Sequence, residues 1–231
     1  MLELHALNVA YGKAQVLRDM SLRVGAGEIL CLLGRNGAGK TTTMQAIMGL
    51  LPLMSGKVML DGQTISTKPP HEVPKAGIGY IPQGRRLFGE LSVAQNLEIG
   101  LMARGSGPEV LEGVLALFPR LRERYHQRAQ TLSGGEQQML ATARALCLEP
   151  KVLLMDEPTE GLQPSMIEAI RQVIVEMRTR GVAIILVEQR VDAVLSVADH
   201  VCFIENGRNL EMMQADALRA DPSILTRNLG V

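Results

Sequence analysis

The sequence contains no tryptophan, and aromatic residues make up only 3% of it. Few rings are therefore present to stack on bases, which is how single-stranded nucleic acids are usually held. An excess of positive charge is also missing, because 24 Lys and Arg residues balance 24 Asp and Glu residues. Proteins that neutralise many phosphates need such an excess. The composition thus argues against a nucleic-acid partner.

Long hydrophobic runs are lacking as well. The longest, residues 182–187, is far shorter than the roughly 18 residues that span a membrane. The first residues, MLELHALNVAYGK, have neither a basic lead nor a cleavage site, so we predict no signal peptide. The three cysteines, Cys31, Cys147 and Cys202, show no C-x-x-C spacing, and we interpret them as reduced core residues. A cytoplasmic protein is expected.

What the sequence does have is an alternation of short apolar runs and longer helical stretches. Strands are predicted over residues 2–9, 28–33, 57–60, 78–81, 151–155, 182–187 and 200–204. Helices are predicted over residues 39–49, 92–102, 108–124, 135–148, 165–180 and 190–198. Strands that alternate with helices form a mainly parallel sheet through right-handed crossovers. The dipeptides Asp61-Gly62 and Asn206-Gly207 predict tight turns between antiparallel strands.

A glycine-rich segment matches the pattern G-x-x-x-x-G-K-[ST] at every position. It consists of Gly34, Arg35, Asn36, Gly37, Ala38, Gly39, Lys40 and Thr41, and Thr42 follows it. A strand is predicted before it and a helix after it, which is the setting of a phosphate-binding loop. Lys40 would then contact the β- and γ-phosphates, and the Thr41 hydroxyl would bind Mg²⁺. A glycine-rich turn that binds nothing is the disfavoured alternative.

Two acidic residues, Asp156 and Glu157, follow the apolar run VLLM. Ligands of open α/β sheets bind at the carboxyl ends of the strands. We expect Asp156 to hold Mg²⁺ and Glu157 to polarise the attacking water. An acidic pair at a strand end is often only a helix cap, but a phosphate loop in the same chain favours the catalytic interpretation.

The segment Leu132-Ser133-Gly134-Gly135-Glu136-Gln137 has two interpretations. Its hydroxyl and open N–H groups suit an anion, while Ser133 with Glu136 also fits an ordinary helix N-cap. Taken with GRNGAGKT before it and VLLMDE after it, however, the segment resembles the signature of the ATP-binding cassette (ABC) ATPases. The resemblance covers essentially the whole chain.

The resemblance implies an α/β fold of the P-loop NTPase (RecA-like) type. Its parallel-sheet core would carry an N-terminal antiparallel β region and an inserted helical subdomain. We expect one domain over residues 1–231, in which residues 1–83 and 150–231 form the catalytic core. Residues 84–149 would form the mainly helical part that contains the signature segment.

The resemblance also assigns residues outside the phosphate loop. Tyr11 occupies the position of the adenine-stacking aromatic, although it could be a surface residue at a strand end. Gln83 matches the glutamine that senses Mg²⁺ and meets the membrane partner. Family members work as head-to-tail dimers, so Ser133 and Gly135 would contact nucleotide held by the opposite subunit.

Two positions depart from the family pattern. Gln189 stands where a histidine is usual; its amide can still donate to the γ-phosphate, with shorter reach, so hydrolysis would be slower. Gln163 stands where the loop after Glu157 often ends in Asp, which puts communication across the dimer in doubt.

The implied function is that of an ATP-hydrolysing subunit that powers a bacterial importer. VEQ, PTEGLQP and PQGR resemble the ATPase subunits of importers for branched-chain amino acids, urea or short amides, the urea type being favoured. The implied partners are a paralogous cassette, the permease subunits and, indirectly, a periplasmic solute-binding protein. The chain would lie in the cytoplasm, against the permease subunits on the inner face of the membrane. A non-transport ABC ATPase and a nucleotide-dependent interaction module are the alternatives.

Overall fold

Strands and helices account for most of residues 1–221 and 223–229, which the computed structural model describes. The strands are β1 (Leu2–Tyr11), β2 (Ala14–Val24), β3 (Ile29–Leu33), β4 (Ser55–Leu60), β5 (Gln63–Thr64), β6 (Ile78–Ile81), β7 (Val152–Asp156), β8 (Ala183–Val187), β9 (His200–Glu205) and β10 (Arg208–Gln214). The helices are α1 (Lys40–Ile47), α2 (Val73–Ala76), α3 (Val93–Arg104), α4 (Pro108–Leu117), α5 (Pro119–Glu123), α6 (Gly134–Leu146), α7 (Pro164–Thr179), α8 (Val191–Leu195), α9 (Ala215–Ala220) and α10 (Ser223–Leu229). Short 3₁₀ turns lie at Pro70–Glu72 and Ala129–Thr131.

The strands form two sheets. The larger has the order β10-β9-β3-β8-β7-β6, and all its neighbouring pairs are parallel except β10 with β9. The smaller is antiparallel, with the order β2-β1-β4-β5. A parallel-sheet core with an N-terminal antiparallel β region, as predicted for the P-loop NTPase class, is therefore confirmed. Helices α3 to α6 lie together in the chain between β6 and β7.

The parallel sheet is covered on both faces, which explains its continuous apolar strands. All five residues of β3 are buried, and they alternate between two clusters. Cys31 and its neighbours on the same face pack with the helices α3, α6 and α7. Leu30 and Leu32 pack instead with α1 and the antiparallel sheet. The three cysteines are free and buried, as predicted for core residues.

Both predicted turns are present. Asp61-Gly62 joins β4 to β5, and Asn206-Gly207 joins β9 to β10. All four residues have positive φ, as in the hairpin turns that suit twisted strands. The second turn also contacts the phosphate-loop segment, since the Gly207 N–H donates to the Ala38 carbonyl at 2.9 Å.

Strand β2 was not among the predicted strands. Its buried residues include Leu17 and Met20, three positions apart, because Asp19 has a φ of 52° and the register with β1 shifts there. The bulge breaks the alternation by which a strand is recognised.

The predicted helix over residues 108–124 was wrong as one helix. It is interrupted at Phe118, whose φ and ψ of −128° and 70° precede Pro119, as expected for a residue whose α conformation is disfavoured by the following proline. The helix predicted over residues 190–198 is shorter, since α8 ends at Leu195. No helix in the described part of the chain has the length and apolar character needed to cross a membrane.

Candidate functional site

Four neighbouring strands of the parallel sheet end at the same cleft. β3 leads into the glycine-rich loop and α1, β8 into Gln189, β7 into Glu157 and β6 into Gln83. The cleft has a volume of about 490 Å³. The residues that line it are Tyr11, Val16, Asn36, Gly37, Gly39, Lys40, Thr41, Thr42, Gln83, Glu157 and Gln189. The parallel sheet and the antiparallel sheet together thus bring to one cleft side chains that are up to 178 positions apart (residues 11 to 189) in the sequence.

The glycine-rich loop has two positions that no larger residue fits. A Cβ at Gly34 would lie 2.3 Å from the Ile204 carbonyl oxygen, so the loop can run close to β9 only without a side chain. Gly39 has a φ of 112° and ends the loop as the N-cap of α1. A side chain there would also meet Leu17, at 2.9 Å. Both glycines therefore set the backbone path into the helix N-terminus, where anions are favoured.

Lys40 is the first residue of α1 and is only 6% exposed. Its ammonium donates to the carbonyls of Gly34 at 2.6 Å and Arg35 at 3.1 Å, across the glycine-rich loop. Burial lowers the pKa of Lys40, and the negative charges of Glu157 and Asp156 oppose this effect. The cation is thus held inside the loop at the point where a bound phosphate would lie.

Asp156, the last residue of β7, is 1% exposed. Burial raises its pKa, an effect partly offset by the neighbouring Thr41 hydroxyl. Neither carboxylate oxygen accepts a hydrogen bond of normal geometry from the described residues. Buried polar atoms without partners are costly, and oxygen ligands are those that Mg²⁺ prefers. The carboxylate of Asp156 beside the Thr41 hydroxyl therefore fits a magnesium ion.

Glu157 is held by two side-chain amides. Gln189 Nε2 donates to its Oε1 at 2.7 Å, and Gln83 Nε2 donates to its Oε2 at 3.0 Å. Gln83 Nε2 also donates to Glu160 at 3.0 Å. The backbone φ of Glu157 is 50°, and its N–H donates to the Val187 carbonyl at 2.9 Å. Each carboxylate oxygen thus has an amide donor that orients it within the cleft.

Tyr11 lies at the mouth of the cleft. It is 48% exposed, and its hydroxyl donates to Gln45 Oε1 at 3.0 Å. One hydrogen bond fixes the end of the side chain, and the ring remains open to solvent. This geometry is compatible both with a ring that stacks on a base and with the surface tyrosine that the sequence left as an alternative.

A family model described as "ABC transporter" matches residues 17–160, which is more than half of the chain. The chain belongs to the ABC transporter family. As a member it is an ATPase that binds ATP.

The cassette is similar over most or all of its length to ATP-binding proteins of known transport systems. It is 41% identical over 232 residues to the high-affinity branched-chain amino acid transport ATP-binding protein BraG of Pseudomonas aeruginosa, with 100% of both chains covered. It is 37% identical to the probable branched-chain amino acid transport ATP-binding protein LivF of Archaeoglobus fulgidus, covering 90% of this chain and 89% of that one. It is 36% identical to the lipopolysaccharide export system ATP-binding protein LptB of Escherichia coli K12, covering 86% and 84%.

Solved structures agree with this fold. The ATP-binding subunit of an ABC transporter superimposes with a TM-score of 0.87 at 29% identity, covering 97% of the cassette and 94% of that chain. A nucleotide-free ATP-binding cassette superimposes with a TM-score of 0.85 at 26% identity, covering 97% of each chain.

The signature residues lie outside the cleft of this cassette. The exposed Ser133 is the N-cap of α6: its hydroxyl accepts from the Glu136 N–H, and the Glu136 carboxylate accepts from the Ser133 N–H at 2.9 Å. The helix-cap interpretation of this segment is therefore correct as local structure. Gly135 lies close to Met166 of α7. A Cβ at position 135 would lie only 2.4 Å from the Met166 side chain, so a larger residue would fit only if that side chain moved. A single cassette does not bring these residues to its own phosphate loop.

Two acidic residues near the cleft were not predicted. Glu160 shares the Gln83 amide with Glu157, and Glu188 is buried directly before Gln189. The signal for Glu188 was available, since a carboxylate ends an otherwise apolar strand run. Its partner Thr159 could not be identified from the sequence, because the contact joins loops 29 positions apart.

Proposed function

We propose that the chain powers the uptake of branched-chain amino acids by a bacterial ABC importer. The observation that carries this proposal is the 41% identity to BraG over the full length of both chains. The relative from Archaeoglobus also has branched-chain amino acid transport in its name, so we place this solute class before urea and short amides. The similarity to LptB is lower, and lipopolysaccharide export is therefore the weaker alternative.

The proposal includes a role for each group at the cleft. Lys40 and the backbone N–H groups of the glycine-rich loop bind the β- and γ-phosphates, and Tyr11 stacks on adenine. Thr41, Asp156 and Gln83 hold Mg²⁺, which neutralises phosphate charge when it is bound. These assignments are supported by the side chains that line the cleft and by the carboxylate oxygens of Asp156, which accept no hydrogen bond of normal geometry from the part of the chain that the structure describes.

Glu157 is the proposed general base. It follows Asp156 at the strand end, and the amide of Gln189 orients its carboxylate by donating a hydrogen bond to Oε1. The oriented carboxylate takes a proton from water while the water oxygen bonds to the γ-phosphorus. The bond from that phosphorus to the oxygen shared with the β-phosphate breaks, and ADP leaves. A base positioned in this way contributes roughly 10²–10⁴ to the rate.

The proposed assembly pairs this chain head-to-tail with a second, paralogous cassette, so that Ser133 and Gly135 contact the partner's nucleotide. Residues 84–149 dock on permease subunits at the inner face of the membrane, and a periplasmic binding protein acts through the permease. Residues 1–83 and 150–231 are the proposed catalytic core. The structure describes that part except for residues 222, 230 and 231.

The catalytic assignment is tested with Glu157→Gln. We expect ATP binding to persist and hydrolysis to fall by roughly 10²–10⁴. Glu98→Gln, which changes an exposed acid on α3, is the matched control and should hydrolyse at the wild-type rate. Full hydrolysis by Glu157→Gln would show that another group activates the water.

The solute is tested by uptake in the organism of origin. Cells that lack the gene should lose uptake of labelled leucine, while uptake of labelled urea is retained. Wild-type protein should restore leucine uptake and Lys40→Ala should not. Loss of urea uptake alone would overturn the solute assignment.

A further inference from the structure

A buried carboxylate lies next to the cleft without lining it. Glu188 follows β8 directly and is only 4% exposed. Within the described part of the chain, no Lys, Arg or His forms an ion pair with it. Burying a charge without a cation is costly unless several hydrogen bonds satisfy it. The bonds made by Glu188 therefore show what the charge stabilises.

The two oxygens of Glu188 bind two different loops. Oε1 accepts from the Thr159 backbone N–H at 3.2 Å and from the Thr159 hydroxyl. Oε2 accepts from the N–H groups of Gln189 at 3.0 Å and Arg190 at 3.5 Å. Thr159 is itself 7% exposed, so its side of the bridge is excluded from water as well.

Each of these loops carries one side chain of the cleft. Thr159 is two residues after Glu157, and Glu188 directly precedes Gln189. Gln189 Nε2 and Glu157 Oε1 meet at 2.7 Å, so a small displacement of either loop would break their hydrogen bond. We infer that Glu188 is a positioning residue, whose carboxylate ties the Thr159 loop to the Gln189 loop and so keeps Gln189 against Glu157. The inference rests on the proposed role of Glu157 as the base.

The bridge requires both oxygens to accept, and this requirement makes Glu188→Gln a sharp test. A glutamine keeps the size and shape of the side chain but replaces one acceptor oxygen with an NH₂ group. That group would face either Thr159 or the Gln189 and Arg190 N–H groups. The backbone N–H groups cannot accept a hydrogen bond, and the Thr159 hydroxyl could accept one only by turning its own proton away. Whichever way the amide is turned, at least one backbone N–H of the two loops therefore loses its acceptor and faces an NH₂ group instead.

We expect Glu188→Gln to lower kcat for ATP hydrolysis by about 10- to 150-fold, the loss equivalent to one hydrogen bond to a charged group. The KM for ATP should stay within about threefold, because the Lys40 and glycine-loop contacts are untouched. The matched control is Asp199→Asn, which alters an acid that accepts from the Ile29 N–H at 2.9 Å and pairs with Arg178 at 2.7 Å. This acid lies where β3 and β9 begin, at the ends of the strands opposite the cleft. The kcat of the control variant should equal that of the wild type even if it unfolds at a lower temperature.

A second measurement follows the bridge without relying on turnover. Thr159→Val removes the hydroxyl donor and keeps the shape of the side chain. If Glu188 joins the loops, amide hydrogen exchange should accelerate in residues 189–195 as well as around residue 159. The Thr159 N–H contact remains in this variant, so Glu188→Gln should still accelerate exchange, but by less in the Thr159→Val background than in the wild type. Acceleration confined to the segment around residue 159 would show that the loops are independent.

The outcomes separate this inference from the proposed function. An active Glu157→Gln would refute the base assignment, and the exchange measurement would still decide whether the bridge exists. An inactive Glu157→Gln beside a Glu188→Gln with wild-type kcat would overturn the positioning role. Equal losses of kcat in Glu188→Gln and Asp199→Asn would overturn it too, because they would show a general effect of stability.

Discussion

The hydrogen bond between Gln189 and Glu157 predicts a measurable loss of catalysis. Gln189→Ala removes the Nε2 donor that lies 2.7 Å from Glu157 Oε1. Gln83 still binds the other oxygen at 3.0 Å, so the carboxylate remains in the cleft with one donor fewer. A hydrogen bond to a charged group is worth about 1.5–3 kcal/mol. If the whole of that energy orients the base, kcat falls by about 10- to 150-fold.

The assay is single-turnover ATP hydrolysis by the full-length chain, with nucleotide binding measured separately by titration. Binding should be nearly unchanged, since the Lys40 contacts lie on another strand end. The control is Gln172→Ala, which removes a glutamine amide that donates to a different acid, Glu168, at 3.1 Å on the outer face of α7. A Gln189→Ala protein that hydrolyses ATP as fast as the control would refute the reasoning.

A variant with histidine at this position adds an independent test through pH. The glutamine amide does not titrate, so residue 189 of the wild type should contribute no change in the hydrolysis rate near pH 6.5. In Gln189→His an imidazole faces Glu157, whose negative charge favours the protonated ring. Its protonation at or above about pH 6.5 would pair it with the carboxylate and disable the base. The rate of this variant should therefore fall as the pH drops through that range, relative to the wild type. Parallel pH profiles would mean that residue 189 does not contact the base during hydrolysis.

Three further changes test the site. Lys40→Ala should weaken ATP binding by about 10- to 150-fold in a titration, because a charge-assisted phosphate contact is lost; the exposed Lys57→Ala is its control, and unchanged affinity would contradict the assignment. Gly34→Ala places a Cβ 2.3 Å from a backbone oxygen and should cost about 1–3 kcal/mol by denaturant unfolding, whereas Gly113→Ala, which meets nothing within 4 Å inside α4, should not destabilise. Asp156→Asn should raise the melting temperature in magnesium-free buffer at pH 7. Burial raises the pKa of Asp156, so ionisation of this carboxyl lowers the stability of the folded protein above about pH 3.9. The gain in melting temperature should therefore shrink toward pH 4, and a gain that is independent of pH would contradict this explanation.

Local patterns were sufficient for the parts of the fold that depend on neighbouring residues. The buried strands β3, β7 and β8 are continuous apolar runs, so they were predicted to within one or two residues. The hairpin turns follow from the chemistry of two dipeptides, whose positive φ angles the structure confirms. The phosphate-loop pattern likewise identified its own strand and helix.

The errors occurred where long-range contacts or a single residue override a pattern. Strand β2 was not predicted, because the bulge at Asp19 interrupts the alternation of buried and exposed residues along the strand. The bulge in turn depends on pairing with β1. A single helix was predicted over residues 108–124 because the amphipathic pattern continues on both sides of Pro119, but this proline separates α4 from α5. The contact of Glu188 with Thr159 could not be predicted, because only the pairing of β7 with β8 brings these two residues together.

The pairing of β7 with β8 also explains why Glu188 and Gln189 have opposite environments. Asp156 pairs with Val187, so the next residues of both strands leave the sheet together beside the cleft. Glu188 is buried against the Thr159 loop, whereas Gln189 is exposed and lines the cleft. A shift of β8 by one residue could move Glu188 into the position of Gln189 and place a carboxylate against Glu157, where two negative charges would repel each other. The register of one buried strand therefore decides whether the base faces an amide donor or a second acid.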